Sequence, residues 1–329
     1  MRIDMHNHYI PADFIAEARR NQAIDNIRVE RRNGTEWVLH PQGYHYPLAL
    51  EFHDLEAKLA HMDRHHIDVS VLSVSPTLLL HWIDAADATD FARRTNEILA
   101  QFVAGSGGRL YGMGMVPLQD PEAAAAELRR AVTELDLRGV QIGTTMEDIP
   151  LDDPRFDVFF AAAAELDVPV SIHPYYVGAR PQFADFYMTN LIGNPLETGV
   201  AASRMILSGF LDRHPNLKVN LMHAGGFMPY QIGRLDHGFK VRRESSAHIS
   251  QPPSTYLRRF YYDTITHAPT PLRFLVDLVG ADHVLLGTDI PFDMQDLSFA
   301  DYLGQIGLHQ DQLAAINGAN ASALYRLGI

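Results

Sequence analysis

Two histidines lie one residue apart near the start of the sequence, in MRIDMHNHYIP. If Ile3 to His8 forms a β-strand, alternation places His6 and His8 on one face, with Asp4 beside them. A half-buried strand normally fills such a face with Val or Leu, so a polar stripe needs a reason. Two imidazoles that point the same way are half of a metal site. A chance match is the alternative in a chain with 17 histidines, and the remaining ligands must decide between the two.

Three further apolar runs end in residues of the right types. SIHP contains His173, LMHAGG contains His223, and LLGTDIPFD contains Asp289. The chain has no cysteine, which excludes disulfides, iron–sulfur clusters and thiolate zinc sites. Any metal must therefore be held by His, Asp or Glu. One histidine at the end of a strand is usually structural, whereas candidate ligands at the ends of four strands favour a metal site.

Short apolar runs alternate with helix-like stretches along most of the chain. The eight strand-like runs are RIDMH (2–6), VSVLSV (69–74), LYGMGMV (110–116), GVQIG (139–143), VPVSIH (168–173), KVNLMH (218–223), FYYDT (260–264) and VLLGTD (284–289). Between two of them, Asp120 and Pro121 are typical of an N-cap followed by proline at the first helical position. This alternation predicts an α/β fold, a parallel (β/α)8 TIM-type barrel. Active-site side chains of such barrels lie at the C-terminal ends of the strands, where the candidate ligands are found.

One segment interrupts the alternation. From about residue 9 to residue 52 the sequence contains the turn signals NGTEW and PQGYHYP. We interpret it as a small insertion after the first strand, near the barrel mouth, and a β-hairpin is one form that these turns allow. No repeat, low-complexity tract or linker is evident, so we expect a single domain over residues 1–329.

Composition excludes several classes of function. The chain has 329 residues, of which 47% are hydrophobic, and a net charge of −13. Nucleic acids and anionic membrane surfaces both need a basic face, so neither is an expected partner. The N-terminus does not have the pattern of a signal peptide, and no apolar run approaches 18 residues. We therefore expect a cytoplasmic protein.

An ordered set of motifs along the chain resembles the amidohydrolase superfamily. The motifs are MHNHYIP, VPLQDP (116–121), GVQIG, SIHPYY (171–176), NPLET (194–198), MHAGGFMPYQIGRLD (222–236), PPSTYLRRFYYDT (252–264), LLGTDIPFD (285–293) and NGANA (317–321). Within the superfamily the chain is most similar to the branch that contains aminocarboxymuconate-semialdehyde decarboxylase and related metal-dependent aromatic-acid decarboxylases. The resemblance covers essentially the whole chain.

The resemblance implies roles for individual residues. One divalent ion, usually Zn²⁺ or Mn²⁺, is held by the positions that match His6, His8, His173 and Asp289. The histidine matching His223 acts on the water at the metal. The arginine matching Arg234 binds a substrate carboxylate, commonly from a neighbouring subunit, which implies a functional homodimer.

The sequence departs from the family pattern near the substrate. The enzyme that names the branch has a second substrate-binding arginine before a proline, where this chain has Tyr46 before Pro47. A dicarboxylate held by two arginines is therefore disfavoured, and Tyr46 becomes a candidate substrate contact. His267 follows the seventh strand, where it either contacts substrate, supports the site or is structural. GVQIG lacks the lysine that bridges two metals in binuclear amidohydrolases, which favours one metal.

The residues alone fit two reactions. In hydrolysis an activated water attacks a lactone, an amide or a ring-fission product, and Asp289 passes a proton to the leaving group. In non-oxidative decarboxylation the carbon that loses CO₂ is protonated by Asp289 or His223. The resemblance favours decarboxylation of a small aromatic or unsaturated carboxylic acid, with hydrolysis, or hydration of an unsaturated acid, as the alternative. A non-catalytic barrel is disfavoured because it would not need His223.

Overall fold

A ring of parallel strands forms the centre of the protein. The computed structural model describes residues 1–175 and 181–329. The strands are β1 (Ile3–Tyr9), β2 (Arg28–Arg32), β3 (Thr35–Leu39), β4 (His45–Pro47), β5 (Val69–Val74), β6 (Leu110–Gly112), β7 (Val140–Ile142), β8 (Thr145–Met146), β9 (Ile149–Pro150), β10 (Pro169–Ile172), β11 (Lys218–Leu221), β12 (Phe260–Asp263) and β13 (Val284–Leu285). All eight predicted barrel strands are present among them.

Two parallel sheets and two bridges close the ring. The sheets have the orders β1-β5-β6 and β13-β12-β11-β10-β7. A parallel bridge between Gly114 and Val140 joins their ends at one side, and a second bridge between Asn7 and Ile290 joins them at the other. Because the first and last strands meet in this way, the eight strands form the predicted (β/α)8 barrel.

Helices surround the barrel. They are α1 (Ala12–Arg19), α2 (Leu55–Arg64), α3 (Ala85–Ala104), α4 (Pro121–Thr133), α5 (Asp157–Glu165), α6 (Asn194–Leu207), α7 (Phe210–Arg213), α8 (Met228–Val241), α9 (Arg243–Ser246), α10 (Pro269–Val279), α11 (Phe299–Gln305), α12 (Gln310–Ala314) and α13 (Asn320–Leu324). The Asp120 carboxylate accepts hydrogen bonds from the backbone N–H groups of Glu122 and Ala123 at the start of α4, which confirms the predicted cap. Side chains such as Phe160, Met205 and Leu221 pack between the helices and the strands.

The insertion is larger than a hairpin. Strands β2 and β3 are joined by Asn33 and Gly34, both with positive φ, as expected for the NG turn in the sequence. The structure adds the helix α1 and the short third strand β4, so the segment is an antiparallel three-stranded sheet with one helix. Tyr46 on β4 packs with Phe52 and Phe292, which fixes this sheet against the loop after β13.

Within residues 1–175 and 181–329, no helix combines the length and apolar character needed to cross a membrane.

Candidate metal centre

The two N-terminal histidines face each other at the end of β1. All seven residues of this strand are buried. The pairing of β1 with β5 shifts register between Asp4 and Asn7, which adjusts the direction of the strand at this point. The Nε2 atoms of His6 and His8 lie 3.1 Å apart. The predicted alternation is therefore present, with both imidazoles on one side.

Two other strand ends bring further donors to the same place. His173 follows β10 and Asp289 lies in the loop after β13. One nitrogen or oxygen atom from each of the four buried residues His6, His8, His173 and Asp289 lies within 4.8 Å of all the others. Asp289 Oδ1 is 2.9 Å from His8 Nε2 and 3.4 Å from His6 Nε2. Four side chains from three distant parts of the sequence thus converge on one point.

The partners of Nδ1 orient the histidine rings. His6 Nδ1 lies 2.7 Å from Asp263 Oδ2, and His173 Nδ1 lies within hydrogen-bond distance of the Pro174 carbonyl. Since these oxygens only accept, both Nδ1 atoms carry the proton. Both Nε2 atoms then direct a lone pair into the cluster. Within the described part of the chain, the buried His173 Nε2 has no hydrogen-bond partner.

His8 is oriented in the same way through a longer chain of contacts. The Ser73 hydroxyl donates to Gln141 Oε1 at 2.6 Å, and its oxygen lies 3.3 Å from His8 Nδ1. The Gln141 amide is in turn held by its donation to the Val74 carbonyl. Ser73 is therefore the acceptor for His8 Nδ1–H, which leaves His8 Nε2 as a third lone pair.

The electrostatics of the cluster suit a cation. Burial lowers the pKa of His8 to about 4 and holds the pKa of His173 well below its ordinary value, so both rings are neutral at pH 7. Burial also lowers the pKa of His6, but Asp263 and Asp289 outweigh this effect and raise it to about 10. Burial alone would raise the pKa of Asp289, yet His6 and His8 keep it well below its ordinary value. Without an ion, the His6 ring therefore takes up a second proton, at Nε2 beside Asp289, and a bound ion would replace this proton and use the lone pair.

This donor set fits one divalent ion. Three imidazole nitrogens and one carboxylate suit Zn²⁺ or Mn²⁺, and each Nε2 atom already faces inward. Hydrogen bonds to the opposite ring nitrogens are the support that metal-ligating histidines usually have. Among the described residues, these four form the one group with such geometry.

His223 lies next to the cluster on an unusual turn. His223, Ala224, Gly225 and Gly226 all have positive φ, which the two glycines tolerate most easily. The Asp263 carboxylate accepts hydrogen bonds from the backbone N–H groups of His223, at 2.9 Å, and Ala224, at 2.7 Å. Asp263 thus orients His6 and holds the His223 turn. It was not singled out from the sequence, although the strand-like run FYYDT contains it.

The His223 side chain is close to the ligands without being one of the four. Its ring centroid is 4.9 Å from that of His173 and 5.2 Å from that of His6. Its Nε2 atom is 4.0 Å from Asp289 Oδ2. Burial lowers the pKa of His223, so its neutral form dominates at pH 7. The position suits a group that exchanges a proton with a molecule bound at the centre.

A cavity of about 780 Å³ opens above the centre. Its aromatic lining residues are Tyr44, Tyr46, Trp82, Tyr175, Tyr187 and Phe292, and its polar lining includes His40, Gln42, Thr77, Asn190 and Asn194. The insertion contributes five residues of this wall, His40, Gln42, Tyr44, His45 and Tyr46. No lysine or arginine is present among the described lining residues. Tyr176, in the motif SIHPYY, lies outside the described residues.

Tyr46 lies in the wall of this cavity, where the sequence suggested a substrate contact. Its hydroxyl is 2.9 Å from Thr77 Oγ1, which is 3.0 Å from Ser75 Oγ. Burial raises the pKa of Tyr46 to about 12, so the phenol stays protonated and neutral at pH 7.

The other two candidate substrate contacts are placed differently. Arg234 lies on α8, is exposed, and is absent from the described lining of the cavity. Asp236, two residues further along α8, accepts a hydrogen bond from the Ser254 N–H. His267 is half-exposed and lines a second cavity, of about 690 Å³, which also reaches His223 and Asp289.

Comparisons with known proteins agree with this geometry. A sequence model of the amidohydrolase family matches residues 3–327. The 2-amino-3-carboxymuconate-6-semialdehyde decarboxylase of Dictyostelium discoideum is 36% identical over 245 residues, which are 74% of this chain and 68% of that protein. The gamma-resorcylate decarboxylase of Rhodococcus jostii (strain RHA1) is 31% identical over 303 residues, which are 84% of this chain and 88% of that protein.

A solved structure shares the whole architecture. The 5-carboxyvanillate decarboxylase of Sphingomonas paucimobilis matches with a TM-score of 0.85 at 27% identity, covering 99% of this chain and 98% of that chain. The family match spans nearly all of the sequence and includes every residue of the four-residue cluster. This chain belongs to the amidohydrolase family.

Proposed function

We propose that this protein is a metal-dependent, non-oxidative decarboxylase of a small aromatic or unsaturated carboxylic acid. The observation that carries the proposal is the convergence of three inward-facing Nε2 atoms and one carboxylate below a cavity with aromatic walls. Several relatives and one structural neighbour are named as decarboxylases of such acids, which favours this reaction over the hydrolase and hydratase alternatives.

The cavity favours a substrate with one carboxylate. Flat apolar surfaces such as Trp82 and Tyr175, whose rings are stacked 6.3 Å apart, suit an aromatic or conjugated acid. A second carboxylate would need a cation, and the described lining offers none. Neutral donors and acceptors such as Tyr46, Thr77 and Asn190 suit hydroxyl substituents instead. We therefore propose a phenolic monocarboxylic acid as the first substrate to examine.

The ion would be held by His6, His8, His173 and Asp289. When bound, it would supply a positive centre that draws electron density from the bond that breaks. The aromatic walls hold the ring and exclude water from it. The bond between the carboxylate carbon and the neighbouring substrate carbon breaks. The carboxylate leaves as CO₂, and the electron pair of the bond remains on the substrate carbon. Neutral His223 faces this region, so it can first accept a proton at Nε2 from the solvent and then, as the imidazolium, give that proton to the carbon, with Asp289 as the alternative donor.

The reaction type can be tested directly on the purified protein. We expect the Mn²⁺- or Zn²⁺-loaded protein to release CO₂ from at least one acid in a panel that includes gamma-resorcylate and 5-carboxyvanillate. In D₂O the product should carry one deuterium at the carbon that lost CO₂, because the group that protonates this carbon exchanges its proton with the solvent. Mass spectrometry of product and headspace measures both. Hydrolysis of lactones or amides without CO₂ release from any acid would replace this proposal with the hydrolase alternative.

We also propose that the protein works as a homodimer, in which Arg234 serves the neighbouring subunit. Arg234 is exposed and, within the described residues, has neither a hydrogen bond nor an ion pair. The same helix exposes 77% of Tyr230, and Phe227 just before it is also exposed. An apolar surface of this kind suits contact with a second copy. There the arginine would clamp the substrate carboxylate through its planar fork.

Mixing two inactive variants tests this arrangement. His223→Ala and Arg234→Ala homodimers should each be nearly inactive, and Arg234→Lys should not restore substrate binding because it lacks the fork. After subunit exchange at equal amounts, half of the dimers are mixed and one of their two sites is intact, so about a quarter of wild-type activity should return. Lys240→Ala, which removes an exposed cation of the same helix, is the matched control and should be active alone. No recovery despite proven exchange would place Arg234 in its own subunit or outside the site.

The remaining expectations are proposals of the same kind. Tyr46 would donate a hydrogen bond to the substrate, and His267 would contact it, or water, from the second cavity. The single-domain organisation over residues 1–329 and the cytoplasmic location stay predictions.

A further inference from the structure

One lysine is fully buried behind the metal centre. Lys58 lies on α2 with no exposed surface, and its Nζ donates to Asn7 Oδ1 at 2.7 Å and to the His8 carbonyl at 2.9 Å. It is the only Lys or Arg in residues 1–175 and 181–329 that is buried. Burial of an ammonium group is costly unless its hydrogen bonds are satisfied. The proposed mechanism does not use Lys58, so its burial needs another explanation.

The contacts of Lys58 continue across the closing seam of the barrel. Asn7 Nδ2 donates to Asp4 Oδ2 at 3.0 Å and to Ser70 Oγ at 3.3 Å. The Thr288 hydroxyl donates to the same Asp4 oxygen at 2.7 Å, and the Thr288 N–H donates to Asp4 Oδ1 at 3.1 Å. All five side chains are fully buried. A continuous hydrogen-bonded chain, Lys58–Asn7–Asp4–Thr288, thus joins α2, β1 and the loop after β13.

Every member of this chain adjoins a proposed ligand. Asn7 lies between His6 and His8, and Lys58 holds the carbonyl of His8 itself. Thr288 immediately precedes Asp289, whose φ of +62° is a conformation that non-glycine residues adopt only when their surroundings enforce it. The network therefore contacts both ligand-bearing segments, and none of its members is among the described residues that line the cavity.

We propose that Lys58 is a positioning residue of the metal centre. Through Asn7 and Asp4 it holds β1 and the Asp289 loop in the geometry that one divalent ion requires. This role rests on the ligand set proposed above, and it is carried by hydrogen bonds and burial rather than by proton exchange. Groups that orient ligands in this way typically change metal affinity by about 10–100-fold when they are removed.

The test measures Mn²⁺ binding to metal-free protein, by electron paramagnetic resonance of the free ion. Lys58→Met keeps the length of the side chain and removes the donors. We expect its Kd for Mn²⁺ to rise by about 10–100-fold. If the lysine acted only as a nearby positive charge, its removal would instead strengthen cation binding. An unchanged or lower Kd overturns the positioning role.

Two further variants separate positioning from general stability. Thr288→Val removes the hydroxyl at the other end of the network with almost no change in side-chain shape. Its Kd for Mn²⁺ should also rise. This variant therefore tests the proposal even if Lys58→Met does not fold. Asn96→Leu is the matched control, because Asn96 is fully buried and donates to Glu127 and the Met115 carbonyl in a separate network. It should lower the melting temperature of the metal-free protein and leave the Kd unchanged. An equal rise in Kd for Asn96→Leu would mean that Lys58 acts only through overall stability.

The outcome is distinguishable from failure of the metal centre itself. If His8→Ala loses the ion while Lys58→Met binds it as the wild type does, the centre stands and the positioning role falls. If His8→Ala retains full affinity, the ligand set is wrong, and the inference about Lys58 falls with it.

Discussion

Replacing His173 by alanine will leave the purified protein without its divalent ion and without decarboxylase activity. His173 Nε2 is one of four converging donor atoms. It is buried, and it has no hydrogen-bond partner among the described residues. Removal of one donor leaves an incomplete coordination shell in a site that alanine cannot fill. We expect turnover to fall by more than about 10²-fold. Replacement of His8 should have the same effect.

Elemental analysis and turnover, measured on the same sample, check this prediction. Wild-type protein should contain about one equivalent of metal per chain, as a mononuclear centre requires. His248→Ala, which removes an exposed histidine far along the chain, is the control and should retain both metal and activity. Chelation should abolish wild-type activity, and readdition of Zn²⁺ or Mn²⁺ should show which ion restores it. Two full equivalents per chain would contradict the single-ion centre.

Replacing His223 should separate chemistry from metal binding. His223 Nε2 lies 4.0 Å from Asp289 Oδ2, outside the four-atom cluster, so the ion should remain bound in His223→Ala. Loss of a positioned acid–base group typically costs about 10²–10⁴-fold in rate, and we expect kcat to fall by that amount. KM should change much less, because the aromatic walls and the ion still bind the acid.

The measurement pairs metal content with steady-state kinetics. His223→Gln is a useful companion, since it keeps a polar side chain of similar reach but cannot exchange a proton at neutral pH. It should be as slow as His223→Ala. A metal-free His223→Ala protein would move His223 into the coordination sphere, and an active His223→Gln would remove its acid–base role.

The barrel and its centre were predictable because of how parallel strands are arranged. Strands that alternate with helices all run in one direction, so their C-terminal ends meet on one face. Polar residues that end apolar runs, such as His173 and Asp289, must therefore approach one another even though the sequence separates them. The turn at Asn33 and Gly34 was equally predictable from the sequence, because few other residue pairs tolerate two positive φ angles.

The remaining features depend on tertiary packing that no local pattern reveals. In the sequence Lys58 is an ordinary residue of an amphipathic helix, and only the position of Asn7 shows why it is buried. Asp263 follows tyrosines at the end of a strand, and its importance appears only when His6 lies 2.7 Å away. The third strand of the insertion, His45–Pro47, is too short for a periodic signal. The role proposed for Arg234 involves a second chain, which a single-chain pattern does not describe.

The bridge between Asn7 and Ile290 has a consequence for biosynthesis. The hydrogen bond between Thr288 and Asp4 spans 284 positions, so the chain from residue 4 to residue 288 must leave the ribosome before the barrel can close. Until then β1 has an unpaired edge, and His6 and His8 lack Asp289. Metal binding at full affinity therefore requires that the first and last strands have come together. It can be used as an assay for the last step of folding.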